Sequence, residues 1–164
     1  MPKPEEAQRV IEAVQGLWRI MISLMSATGL RAGKVRALRW EAADQKRRRF
    51  AVQEAVKKSA RGHREEVRNL KRDASVRTIQ IPDAFLEQLK QLPKRGGWVF
   101  SSESGDLISA DYFLDQMQRA VKASGVEWHG TLAHFFYHFA CSLFMHEFSN
   151  PKRCSSFWAT AASP

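Results

Sequence analysis

The chain has 164 residues, 44% of them hydrophobic, enough for one domain with a packed core. Its 26 Lys and Arg against 17 Asp and Glu give a formal charge of +9, which favours a polyanionic partner such as nucleic acid, with plain solubility as the bland reading. The two cysteines, Cys141 and Cys154, lack CxxC spacing and argue against a disulfide framework or a zinc ribbon, so a reducing, cytoplasmic setting is expected; MPKPEEAQ has no apolar signal core, and the run LWRIMISLMSATGL is broken by Arg19 and too short to cross a bilayer.

In chain order, PEEAQRVIEAV places Ala7, Val10, Ile11 and Val14 on one face of a helix that Pro4 starts and Glu5 and Glu6 favour electrostatically. Leu17, Met21, Leu24, Met25 and Thr28 repeat the spacing, predicting a more deeply buried helix to about Ala27 that stops at Gly29. A short third helix carries Val35 and Leu38 towards Trp40. The period then changes to two at 49–52 and 75–81, as in half-buried strands, and the charged stretch between them, KKSARGHREEVRNLKRD, reads as a solvated hairpin turning near Gly62. Pro82 and Asp83 open a helix with Phe85, Leu86 and Leu89 on its apolar face, and Gly96 and Gly97 precede a short strand at 98–100. Ser109 is a suitable N-cap for a helix from Ala110 to about Ala123, with Phe113, Met117, Ala120 and Val121 inward and Gly125 as its stop. A last helix covers HFFYHFACSLF. The expected fold class is α+β, mainly α, with a small antiparallel β-sheet and no internal repeat, low-complexity segment or linker.

Three stretches carry chemistry. In ATGLRAGKVRALRW a glycine ends a buried helix and Arg31 stands at the start of the next, where a guanidinium can grip a phosphate through two hydrogen bonds; alone, a surface salt bridge is the commoner role. Lys71 in LKRDASVRTIQIP would by itself be a solvated charge at a hairpin. In the third stretch, His134 and His138 have the i, i+4 spacing of a zinc pair, but no glutamate follows the first histidine as in HExxH, and a third ligand would have to be Cys141 or His146. A core helix with satisfied histidines is the plain alternative.

Taken together these stretches are similar to those of the tyrosine recombinases, the phage integrase family. TGLRAGKVRALRW resembles the family's TGLR-x-G-E-x-x-x-L-x-W motif, LKRDASVRTIQIP resembles its PKT-x-x-S-x-RT-x-x-x-P hairpin strand, and HFFYHFACSLFMHEFSNPK aligns without gaps on H-x-x-R-H-T-F-A-S followed by A-N-P-K. The resemblance runs from Pro4 to Lys152 and implies a catalytic-domain fold. It also implies a metal-free and cofactor-free reaction in which a tyrosine attacks a DNA phosphodiester and forms a 3′-phosphotyrosyl link. Paired arginines and a histidine would stabilise the phosphorane while a lysine protonates the departing 5′-oxygen. Carried over, Arg31 is the first arginine, Lys71 the general acid and His134 the motif histidine, with His138 beside it. Arg31, Lys71, Arg72 and Arg77 are the implied contacts to double-stranded DNA, and other recombinase protomers are further partners.

Several departures from the pattern predict a defective catalyst. Lys34 replaces the glutamate that follows the family's glycine, and Tyr137 stands where the second arginine belongs. Losing one such contact costs on the order of 10²–10³ in rate. The L-G-H motif and the nucleophilic tyrosine are not in the chain, whose tyrosines are Tyr112 and Tyr137, nor is the N-terminal arm-like domain of many members. Residues 153–164 do not follow the family; back-translated and read two bases later, RCSSFWATA can encode VLQLLGHS, so a small deletion near the Lys152 codon is expected to have shifted the frame. The competing expectations are a non-enzymatic DNA-binding accessory or regulatory protein, a histidine-based hydrolase or metalloprotein, and a non-functional remnant.

Overall fold

The computed structural model describes residues 3–59, 64–70, 77–81 and 83–140. The described residues fall into two compact units, one built from those up to 32 and from 110 onward, the other from those within 33–109.

The first unit is helical. Helix α1 (Pro4–Glu12) starts with proline in its first turn, and the Glu6 carboxylate accepts from the Lys3 backbone N–H at 2.7 Å, satisfying a donor that the helix cannot. It ends before Val14, but Ala7 and Val10 are fully buried as their spacing predicts. Helix α2 (Gly16–Thr28) buries Met21, Leu24 and Met25, and α5 (Ala110–Ser124) buries Phe113, Met117, Ala120 and Val121. Gly29 and Gly125 stop these two helices with φ of 63° and 67°, the left-handed conformation that costs glycine least. Helix α1 packs on both α2 and α5, and a 3₁₀ turn (Leu132–His134) packs on α5 and leads into helical backbone over 135–140.

The second unit opens with α3 (Ala32–Arg36), which begins at the boundary between the units. This helix is shorter than its apolar spacing suggests: Leu38 lies beyond it, buried, with its N–H donating to Val35 O at 3.2 Å, and a 3₁₀ turn (Trp40–Ala42) follows. Strands β1 (Ala43–Asp44), β2 (Arg49–Val52) and β5 (Arg77–Gln80) form a three-stranded antiparallel sheet in the order β1-β2-β5. Strands β3 (Glu54–Lys58) and β4 (Glu65–Asn69) form the charged hairpin as a separate two-stranded sheet. Its register sets Lys57 opposite Glu66 and Lys58 opposite Glu65, so opposite charges alternate across the strands. Helix α4 (Asp83–Lys90) buries Phe85 and Leu89.

The strand expected at 98–100 is only an isolated bridge, Arg39 to Trp98, held by Trp40 N–H to Gly97 O and Val99 N–H to Leu38 O, each at 2.9 Å. The chain then turns back on itself through Ser101 and Leu107, which leaves no length for a ladder.

Candidate functional site

The Thr-Gly-Leu-Arg segment works as a bracket. The Thr28 hydroxyl donates to Leu24 O at 2.6 Å and accepts from Leu30 N–H at 3.3 Å, and Gly29 N–H donates to Met25 O at 2.9 Å. These bonds satisfy the frayed end of α2 and fix the exit angle of the chain. Leu30 is fully buried and anchors the turn, and the next side chain, Arg31, is exposed.

A second element supplies what faces it. Over 134–140 the side chains of Phe135, Phe136, Phe139 and Ala140 are buried, with Trp128 edge-on to Phe135 at 4.9 Å between ring centroids. Helical spacing then puts His134, Tyr137 and His138 together on the opposite side, partly or fully exposed. Their rings form one cluster: His134 to Tyr137 at 6.3 Å, His134 to His138 at 6.1 Å and Tyr137 to His138 at 5.6 Å. The Arg31 guanidinium lies over the Tyr137 ring, 5.1 Å from its centroid. The cluster thus offers a permanent cation, two imidazoles and a phenol at one exposed surface, a set suited to holding an anionic oxygen.

The structure therefore brings Arg31, His134, Tyr137 and His138 together inside the first unit. Arg77 is half-buried at the start of β5 opposite Val52, in the second unit. Lys71, Arg72, Gly62, the metal-ligand candidates Cys141 and His146, and the tail at 153–164 lie outside the described residues. Among the described residues no group of three or more His, Cys, Asp or Glu could hold a metal ion, and no helix is long and apolar enough to cross a membrane.

Sequence reasoning missed the ion pairs that fix the hairpin. The buried Arg36 side chain donates from both terminal nitrogens to Glu65 Oε1, at 3.0 and 2.6 Å, and Arg39 Nε donates to Glu54 Oε2 at 2.6 Å while its guanidinium covers Trp98 at 4.0 Å. Two arginines three apart in VRALRW were the only local signal, because their partners are 29 and 15 residues away and leave no pattern nearby. A cleft of about 940 Å³ beside Arg39, lined also by Leu38, Asp44, Lys46, Gln53 and Glu54, lies within this unit. Its central charges, Arg39 and Glu54, already satisfy each other, and we assign it no chemistry.

The fold is that of tyrosine-recombinase catalytic domains. The integrase of the Tn1549 transposon, solved with a circular intermediate DNA, superposes with a TM-score of 0.79 at 16% identity over 99% of this chain and 61% of that one. XerA recombinase superposes with a TM-score of 0.70 at 13% identity over 99% of this chain and 58% of that one. A XerC-like tyrosine recombinase of Caldanaerobacter subterraneus subsp. tengcongensis is 26% identical over 151 residues, covering 76% of this chain and 38% of that protein. The family model of the phage integrases matches residues 3–151, and the chain belongs to the phage integrase family. It spans 38% of the length of the curated relative and about three fifths of those solved chains.

Proposed function

We propose that this chain is part of a site-specific tyrosine recombinase catalytic domain that binds double-stranded DNA through its phosphate backbone and is defective in strand cleavage. Binding is electrostatic and largely indifferent to sequence, as expected of Lys and Arg contacts to phosphate. Arg31 and His134 hold the phosphate to be attacked; Lys71 is the general acid, and Arg72 and Arg77 add backbone contacts. A cytoplasmic location, beside the DNA, and assembly with other recombinase protomers belong to the same reading. Residues 4–152 make up the partial catalytic domain, and 153–164 stand outside it.

The observation that carries the proposal is the cluster of Arg31, His134 and Tyr137, the three positions that the family motifs place at a scissile phosphate. The same cluster supports the defect. Tyr137 contributes a neutral ring where a second guanidinium would oppose the charge of the phosphorane, and that ring is occupied by the cation of Arg31. The test is a nicked suicide duplex incubated with the protein. Salt-sensitive retention of the duplex without a covalent adduct is expected, and a phosphotyrosyl adduct would overturn the claimed defect.

A further inference from the structure

We infer that Trp128 and Gly130 are positioning residues for His134, acting on it through Phe135; this rests on the DNA-binding reading above. Neither residue belongs to the motifs that point to the site. They lie in the loop between Gly125, which stops α5, and the 3₁₀ turn that ends at His134, with Trp128 half-buried and Gly130 exposed. Loop, turn and site segment all belong to the helical unit.

The fit begins with the glycine. A Cβ on Gly130 would stand 2.5 Å from Cζ2 and 2.8 Å from Cε2 of the Trp128 indole, so the loop closes on the ring only because that position has no side chain. The same indole meets Phe135 edge to face, with 4.9 Å between ring centroids, and Phe135 meets Phe136 in the same way, again at 4.9 Å. Both phenylalanines are fully buried. Gly130, Trp128, Phe135 and Phe136 thus form one packed series from an exposed loop to the core.

His134 stands where that series can steer it. Its N–H closes the 3₁₀ turn by donating to Thr131 O at 3.0 Å, and α-helical winding begins at the next residue, Phe135. A change of winding lets a segment pivot unless packing holds it, and here the held side chain is the one adjacent to the imidazole. Successive helical residues are about 100° apart, so a roll that moved the Phe135 ring would carry His134 with it. The choice of ring supports the same role. Trp128 Nε1 is buried with no hydrogen-bond partner among the described residues, a cost that phenylalanine would avoid while still packing on Phe135. What the indole adds is reach, and the atoms that reach furthest are those against Gly130.

The test is anisotropy of a labelled duplex titrated with the whole chain at one low salt concentration, beside melting curves that set an assay temperature at which the proteins are folded. Gly130→Ala pushes a methyl into the ring and Trp128→Phe leaves a gap beneath the loop; each should weaken binding by about fivefold to tenfold, the scale of one contact to a charged group. The double variant Gly130→Ala/Trp128→Phe, in which the methyl takes the space that the indole vacates, should recover the parental affinity. Added to His134→Ala, Gly130→Ala should cost less than about twofold more, because the contact it disturbs is already gone. A role in packing alone would lower the melting temperature and leave the affinity of the folded protein in place. Parental affinity in both single variants, no recovery in the double variant, or a full additional loss on top of His134→Ala would each overturn the inference. If the parent chain itself fails to bind duplex at low salt, it is the DNA-binding reading that falls.

Discussion

Both units of this molecule rest on buried apolar side chains, and they differ in what charge adds to them. The helical unit is specified by apolar periodicity: Ala7, Val10, Met21, Leu24, Met25, Phe113 and Phe135 are buried with relative exposures of 0–1%, while Arg31, His134, Tyr137 and His138 are partly or fully exposed. In the sheet unit an apolar core that includes Leu38, Phe50, Val52 and Phe100 is supplemented by charge, with Arg36 buried against Glu65 and the half-buried Arg39 paired with Glu54. The difference is one of mechanism. Burial of apolar area is non-directional and tolerant of small shifts, whereas a buried guanidinium fixes its partner's position and is costly when left alone.

Truncation in the helical core should give the largest loss. Phe135→Ala removes a fully buried ring that meets Trp128 and Phe136 edge to face, and is expected to cost about 3–5 kcal/mol, read by urea denaturation. In the sheet unit, Glu65→Gln removes the counter-charge that faces the Arg36 guanidinium, whose side chain is 4% exposed; about 3 kcal/mol is expected because Glu65 itself is only partly buried. If the double variant Arg36→Met/Glu65→Leu recovers most of that loss, the pair serves specificity rather than stability. Gly33→Ala comes next. A Cβ there would stand 2.6 Å from Val56 O, so α3 and β3 must separate, at about 1–3 kcal/mol and with the hairpin amides exchanging faster. Smallest is Thr28→Val, which keeps the shape but drops both hydroxyl bonds at the end of α2; about 1 kcal/mol is expected, together with weaker DNA binding as Arg31 loses its bracket.

How much could be read in advance follows the same division. Helices α1, α2 and α5 and their glycine stops were legible because the 3.6-residue period and left-handed caps are local properties of the chain. The sheet was legible in outline, through the alternation at Arg49–Val52 and Arg77–Gln80, but the extents of β3 and β4 were not, since EAVKK and EEVRN look like solvated charge until they are set side by side. The break into two units was hidden because the boundary falls inside the Arg31–Arg36 motif, with no proline- or glycine-rich linker to mark it. Of the site, Arg31, His134 and Tyr137 were identifiable by motif. That Arg31 would lie over the Tyr137 ring was not, because it depends on where the exit from α2 meets a helix more than a hundred residues later.

The central claim is that Arg31 and the Tyr137 cluster form a phosphate site short of one cation, and its most direct test is duplex affinity against salt for the parent, Arg31→Ala and Tyr137→Arg. The account predicts that Arg31→Ala flattens the slope of log K on log salt by about 0.9 and that Tyr137→Arg steepens it by a similar amount, with tighter binding. Slopes that are the same in all three proteins would contradict it, placing the DNA contact elsewhere on the chain and leaving the cluster a packing feature.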